Sequence, residues 1–178
     1  MPTVALHTAP DGLLAAVAPL GCAAAAGTAL VIDLAPAGLP LPGTRTLRHL
    51  VEDGPTSSEL RPGRTGVACL PNGGIPLEDA VETVEVLRRS WPRVVLRVPS
   101  EDAIPTGAVG VAIRPLLPGV GPAAALPTLF QPLGYVEHAA PNGRRLPRLP
   151  ARVAKGLLTG RRTRSAWVRA WSMVWEAT

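Results

Sequence analysis

The chain has 178 residues, of which 47% are hydrophobic and 17% are charged; this length suits a single domain, and this balance excludes an intrinsically disordered protein. The formal net charge of +5 is uneven, because residues 144–178 hold nine basic residues and one acidic residue, whereas residues 1–143 are mildly acidic. The basic C-terminal region favours an anionic partner such as nucleic acid or an acidic membrane surface, and a solvated polar surface is the alternative.

The first half of the chain alternates apolar runs with helical patterns. Residues 3–8 form a short apolar run that predicts a strand, residues 13–26 form an Ala- and Leu-rich stretch that predicts a helix, and residues 29–34 predict a buried strand. The pattern continues as helix, strand, helix, strand and strand at residues 45–52, 66–70, 77–90, 93–98 and 108–113. This alternation predicts an α/β protein with a three-layer, doubly wound and mostly parallel sheet.

The second half is harder to assign. Residues 115–150 are rich in Pro and Gly, and residues 135–137 are the one candidate there for a sixth, edge strand. Two helices at 151–158 and 164–176 then close the chain. There is no long linker, so residues 1–178 are predicted to form one domain with a basic, Trp-containing C-terminal region at 151–178.

The cysteines and the uncharged N-terminal run bear on location. Cys22 and Cys69 have no metal-ligand spacing, which predicts reduced, buried thiols in a cytoplasmic protein. Residues 13–32 carry no charge, but Pro and Gly residues interrupt this run and no basic residue precedes it. We therefore predict neither a signal peptide nor a membrane span, and expect at most a peripheral membrane location.

Several blocks of the chain occur in an order known from one family of nucleotide-binding proteins. They are residues 30–34, which contain Asp33, the short helix at 47–50, residues 66–74, the helix at 77–89, residues 91–99, and the late stretch 146–160. This layout resembles the MinD/ParA family of deviant Walker ATPases, and in particular its CpaE/TadZ-like septum-site and pilus-assembly branch. The resemblance implies the SIMIBI type of P-loop fold. In that family residues 30–34 would be the second strand with its Asp, residues 66–74 a strand with its turn, and residues 91–99 the Walker B strand.

Two departures from the family pattern concern its nucleotide site. Members carry a glycine-rich GK[ST] loop after the first strand, whereas residues 8–13 here have no Lys, Pro10 lacks an N–H group and Asp11 would repel a phosphate. Where the Walker B strand has an Asp that positions Mg²⁺, this chain has Arg97; Asp33 stays in register. The resemblance with these losses implies a pseudo-ATPase without P-loop or cofactor, which acts as an interaction or regulatory module with a protein partner or as a homodimer.

The polar residues of the degenerate site allow two interpretations. Arg97 either binds an anion at the carboxyl edge of the sheet, where ligands collect in such folds, or forms an ion pair with Asp33 or Asp11. A satisfied polar group at the end of a strand is the simplest role for Asp33. The histidines lie far apart in sequence without metal-ligand spacing, so we predict no metal site from His7, His49 and His138.

The C-terminal region combines basic residues with tryptophans at helical spacing: Arg161, Arg162, Arg164, Trp167, Trp171 and Trp175. Three alternatives follow from this pattern: the tryptophans pack in the core, the region binds a groove of a partner protein, or it lies on an anionic membrane surface.

Two further functions compete with the pseudo-ATPase. One is non-specific nucleic-acid binding through residues 144–169, and the other is ATP binding at an atypical site.

Overall fold

A sheet of seven parallel strands runs through the part of the chain that this computed structural model describes, residues 1–8, 12–57, 59, 66–117, 125–132 and 144–177. The strands, in chain order, are β1 (Thr3–Thr8), β2 (Thr28–Asp33), β3 (Gly66–Leu70), β4 (Val94–Val98), β5 (Val109–Leu116), β6 (Thr128–Pro132) and β7 (Arg144–Arg145). The helices are α1 (Gly12–Ala26), α2 (Leu47–Asp53), α3 (Leu77–Ser90), α4 (Ala151–Leu158), α5 (Ala166–Ala170) and α6 (Ser172–Trp175).

The strands lie in the order β3-β2-β4-β1-β5-β6-β7, with β1 in the middle. One hydrophobic core packs α1, α4, α5 and α6 against one face of the sheet. A second core packs α2 and α3 against the other face. The fold is therefore a three-layer, doubly wound α/β fold, which confirms the predicted fold class.

The central strands are buried on both faces. All five residues of β4 are buried, and four of the six residues of β1 are. Near-continuous apolar runs are typical of strands in such a sheet, and Arg97 in β4 is a charged exception, only 3% exposed. Because the strands are parallel, the carboxyl ends of β1, β2 and β4 lie side by side at one edge of the sheet.

Two tryptophans of the C-terminal region form the centre of the first core. Trp167 and Trp171 are completely buried, and their rings meet edge to face with centroids 5.4 Å apart. The indole Nε1 of Trp167 donates a hydrogen bond of 2.6 Å to Oε1 of the buried Gln131. Core packing is thus the alternative that holds for these two residues, and their rings form no binding surface. Trp175 is partly buried, and its Nε1 donates to the carbonyl of Cys22.

The C-terminal half differs from the prediction in three places. Strands β6 and β7 were not predicted. Prolines bound β6, and β7 is only two residues long, so neither shows the repeat of apolar residues by which a strand is recognised in a sequence. The predicted helix 164–176 is two short helices: Ser165 caps α5 through Val168 N–H, and the chain tightens at Trp171, whose N–H donates to Val168 three residues back. The predicted strand 135–137 lies outside the described residues.

Helix α1 is uncharged and closely packed against the C-terminal helices. None of the described helices, α1 included, has the length and hydrophobicity needed to cross a membrane. A Cβ atom at Gly21 would lie only 2.2 Å from Cζ3 of Trp167 and 2.6 Å from its Cη2. Glycine at this position is therefore what lets α5 approach α1.

Substitution Gly21→Ala tests this close approach. Alanine favours a helix by up to about 1 kcal/mol over glycine, but here its methyl group would overlap the Trp167 ring, so we expect a net destabilisation of about 1–3 kcal/mol in urea unfolding. The matched control is Gly12→Ala in the same helix, whose Cβ would make an ordinary 3.5 Å contact with Leu39. Equal effects of the two substitutions would contradict the packing account.

Candidate functional site

The candidate site lies at the carboxyl edge of the sheet, where Asp33 ends β2 and Arg97 is the fourth of the five residues of β4. The two residues are partners in the register of β2 and β4. Asp33 is 4% exposed and Arg97 is 3% exposed. A buried Asp and a buried Arg therefore stand side by side at the edge where ligands bind in open α/β sheets.

The guanidinium of Arg97 uses all three of its nitrogens. Its Nε lies 3.3 Å from Oδ1 of Asp33. Its Nη1 donates to the carbonyl of Leu39 at 2.7 Å, and its Nη2 donates to the carbonyl of Ala37 at 2.8 Å. The structure thus has the ion pair with Asp33 that the sequence left as one of two interpretations, while Asp11 lies outside the described residues.

The segment that Arg97 holds, residues 35–41, is here named the 35–41 loop. Gly38 in this loop has a φ of +111°, and a Cβ atom there would lie 2.5 Å from Nη2 of Arg97, so both backbone conformation and space require glycine. Further along, Leu41 is buried in the core that contains α1. The side chain of Leu39 lies against Gly12, the first residue of α1. The loop therefore runs from the end of β2 to the start of α1, across the position of Arg97.

Asp33 is a strongly desolvated carboxylate with several partners. Its Oδ1 accepts a 3.0 Å hydrogen bond from Ala35 N–H, and the backbone of Asn72 donates to it as well. Burial raises the pKa of Asp33 to about 6, and this outweighs the lowering by Arg97 and by the two backbone donors. For a buried ion pair the desolvation cost can exceed the Coulombic gain. The main effect of the Asp33–Arg97 pair is therefore to fix the position of the 35–41 loop, and its net contribution to the free energy of unfolding is small.

The turn after β3 borders the same site. The buried side chain of Asn72 accepts from Ile75 N–H and donates to the Ile75 carbonyl, which closes the turn. Helix α2 begins against this turn, because Leu47 N–H donates to the Pro71 carbonyl. His49 serves as the N3 residue of a capping box with Thr46 at the start of α2. The turn is therefore built into the fold by its own hydrogen bonds.

The space left at this edge is small. A cavity of about 110 Å³ is lined by residues that include Asp33, Gly38, Asn72 and Arg97. Pockets that hold small organic ligands are usually about 300–1,000 Å³ in volume. The guanidinium and the 35–41 loop thus fill most of the room beside Asp33.

The remaining predicted residues are not gathered into a site. His7 lies at the end of β1, where burial lowers its pKa, His49 caps α2, and His138 is outside the described residues. Within the described ranges no three His, Cys, Asp or Glu side chains come together as metal ligands. Burial raises the pKa of the Cys69 thiol to about 12 and raises that of Cys22 further.

The basic segment of the C-terminal region lies at the other edge of the sheet. Arg161, Arg162 and Arg164 are exposed between α4 and α5. They border a cavity together with Gly27 and Gly66, which stand at the amino ends of β2 and β3. The structure therefore separates these arginines from Asp33 and Arg97, and it separates them from Trp167 and Trp171, which are buried.

Sequence patterns did not reveal the groups that hold Arg97. They are the main-chain carbonyls of Ala37 and Leu39, and a carbonyl leaves no mark on residue type. The one hint is Gly38, which stands between Pro36 and Pro40, since a glycine between two prolines marks a loop with a special backbone conformation.

No protein-family model, curated protein or solved structure matches this chain. A function for the protein is therefore inferred from its own residues and contacts.

Substitution Asp33→Asn tests the electrostatics of the site. The native pKa of Asp33 lies above its ordinary value of 3.8. Between pH 3.8 and about 6 the native state therefore binds more protons than the unfolded state does. The contribution of Asp33 to stability is consequently full below this range and is lost as the pH rises through it. Asparagine keeps an acceptor but does not titrate. The free energy of unfolding of wild type minus that of the variant should fall by an amount on the order of 2–3 kcal/mol from pH 4 to pH 7.

The measurement is urea unfolding of both proteins at several pH values, in which the titration of every other group cancels in the difference. A difference that grows with pH instead of falling would mean that Arg97 governs the pKa of Asp33, and would contradict the account.

Proposed function

We propose that this protein is a MinD/ParA-like pseudo-ATPase, a non-catalytic and nucleotide-independent module that acts by binding in a system for septum placement, DNA partitioning or pilus assembly. The observation that carries the proposal is the position of Arg97. In the order of blocks that resembles the family, Arg97 replaces the Asp that positions Mg²⁺, and its side chain is tied into the protein by three contacts.

The arrangement of the strands supports the resemblance. In a P-loop site the loop after the first strand and the Asp of the Walker B strand act on the same phosphates, so these two strands must end close together. Here β1 and β4 are neighbours in the sheet, with His7 opposite Val98. The strand that would carry the phosphate loop thus ends beside the strand that would carry the metal-directing residue.

The contacts at that place oppose nucleotide binding. Mg²⁺ in nucleotide sites is held by carboxylates and phosphates, whereas a buried guanidinium repels a cation. Arg97 is poorly placed to bind a phosphate instead, because it is buried and each of its three nitrogens already contacts Asp33 or a carbonyl. In addition, the apolar side chain of Leu39 lies against the first residue of α1, where helix N–H groups would otherwise receive an anion.

A module without a nucleotide switch acts through the surfaces it presents. The partner that this function requires is another protein or a second copy of the chain. The module itself would have one binding state, because no ATP hydrolysis changes its conformation. The 35–41 loop then has a positive role, since Arg97 holds it at this edge through the carbonyls of Ala37 and Leu39.

Calorimetric titration of the full chain with ATP and with ADP, each with and without Mg²⁺, tests the proposal. We expect no saturable heat, and we expect the midpoint of thermal unfolding to stay unchanged at millimolar nucleotide, because a ligand that binds the native state raises it. Magnesium-dependent binding of either nucleotide would contradict the proposal and would favour an ATPase with an atypical site.

Nucleic-acid binding is the second candidate, and one observation favours it. Within the described part of the chain, Arg161, Arg162 and Arg164 are exposed and form no ion pair. A duplex DNA affinity that falls steeply with added salt is expected if phosphates occupy these side chains. Lack of binding at low salt would remove this candidate.

A further inference from the structure

A cavity of about 720 Å³ lies at the amino edge of the sheet, away from Arg97. It is bounded by the C-terminal end of α1, the start of β3 and residues 157–172 of the C-terminal region. Its volume is within the range of pockets that hold small organic ligands, about 300–1,000 Å³. Neither the family resemblance nor the proposed function gives this cavity a role.

The inner wall of the cavity is apolar. Leu20 and Ala24 of α1, Val67 of β3, Leu157 of α4 and Val168 of α5 contribute to it. Leu20, Leu157 and Val168 belong to the core between α1 and the C-terminal helices. The cavity therefore reaches into the edge of a hydrophobic core, where an aliphatic group would be removed from water.

The rim is cationic. Arg161, Arg162, Arg164 and Arg169 line the cavity, are exposed, and form no ion pair within the described residues. No carboxylate is among the described residues that line it. Four exposed arginines around one opening, with no described carboxylate beside them, are complementary to an anion, since Arg is the side chain best suited to carboxylate and phosphate.

Backbone motifs hold the rim in place at both ends. Gly160, with a φ of +68°, ends α4 in a Schellman motif, because Arg161 N–H donates to the Gly156 carbonyl and Gly160 N–H donates to the Leu157 carbonyl. Five residues after Gly160, Ser165 caps α5. Three of the four rim arginines thus stand on a short segment with fixed ends and Arg169 stands on α5 itself, which lowers the entropy cost of gathering them around a ligand.

One buried hydroxyl in the same segment lacks a partner. Oγ1 of Thr163, a residue that lines the cavity, is buried and makes no hydrogen bond in the described structure. Its methyl group packs closely on Gly156. Buried polar atoms in native proteins are nearly always bonded, so this hydroxyl is an exception beside the cavity, and with almost no accessible surface it is not counted among the groups that contact a ligand.

We propose that the cavity binds a single-chain amphipathic anion, with the aliphatic chain against the wall and a carboxylate or phosphate head group between the rim arginines. The apolar wall and the cationic rim are both needed for this ligand class. A polyanion such as DNA would contact only the rim, and a neutral lipid chain would contact only the wall.

Calorimetric titration of the full chain with decyl phosphate, below its micellar concentration, is the direct test. Decyltrimethylammonium has the same chain with a cationic head, and inorganic phosphate has the head alone. We expect decyl phosphate to bind at least tenfold more tightly than either. Equal affinity for the two decyl compounds would overturn the proposal.

Two variants separate the rim from the wall. Arg161→Glu with Arg164→Glu should weaken decyl phosphate at least tenfold, whereas the matched control, Arg152→Glu with Lys155→Glu on the exposed face of α4, should leave it unchanged. Ala24→Leu keeps every arginine and fills part of the cavity, and it should weaken decyl phosphate tenfold while leaving the urea midpoint close to that of wild type.

Two outcomes would contradict the assignment of the cavity. One is an equal loss of affinity in the rim variant and in its charge-matched control. The other concerns Ala24→Leu. This variant would bind decyl phosphate as tightly as wild type and would still co-sediment with phosphatidylglycerol vesicles or DNA, whereas the rim variant would lose that co-sedimentation. Anion binding would then take place on the bare surface of the basic segment.

Discussion

The interaction on which the candidate site depends is the set of contacts made by the buried guanidinium of Arg97. Burying a charged group costs much free energy unless the group is paired and hydrogen-bonded. Asp33 supplies a carboxylate, and the 35–41 loop folds back to supply the carbonyls of Ala37 and Leu39. The conformation of the loop, the need for glycine at position 38 and the small volume left at the carboxyl edge all follow from this arrangement.

The sequence predicted the sheet well where the strands are apolar and the helices amphipathic. Residues 3–8, 66–70, 77–90 and 151–158 have the predicted bounds, because burial on two faces or on one helical face leaves a period in the residue types. Strands β6 and β7 leave no such period. The ion pair of Arg97 with Asp33 was one of the alternatives that the sequence left open. The carbonyls that complete the site were beyond any pattern, since every residue has one. The burial of Trp167 depended on Gly21 and Gln131, both distant in sequence.

The two polar regions of the molecule lie at opposite edges of the sheet and differ in kind. At the carboxyl edge a cation is buried and neutralised by groups of the protein itself, which leaves little room for a ligand. At the amino edge four arginines are exposed around an apolar cavity and are neutralised by none of the described residues. Among the described residues, this distribution leaves exposed positive charge at the amino edge, away from Asp33 and Arg97.

The most direct test of the role of Arg97 is the backbone dynamics of the 35–41 loop in wild type and in Arg97→Lys, measured as heteronuclear ¹H–¹⁵N NOE values. Lysine keeps the positive charge beside Asp33 but lacks the planar fork that reaches two carbonyls at once. We expect lower values at Ala37, Gly38 and Leu39 in the variant, with unchanged values at Val95 and Leu96 in the adjoining strand. Unchanged values in the loop would show that other contacts hold it, and would contradict the claim that Arg97 closes this edge of the sheet.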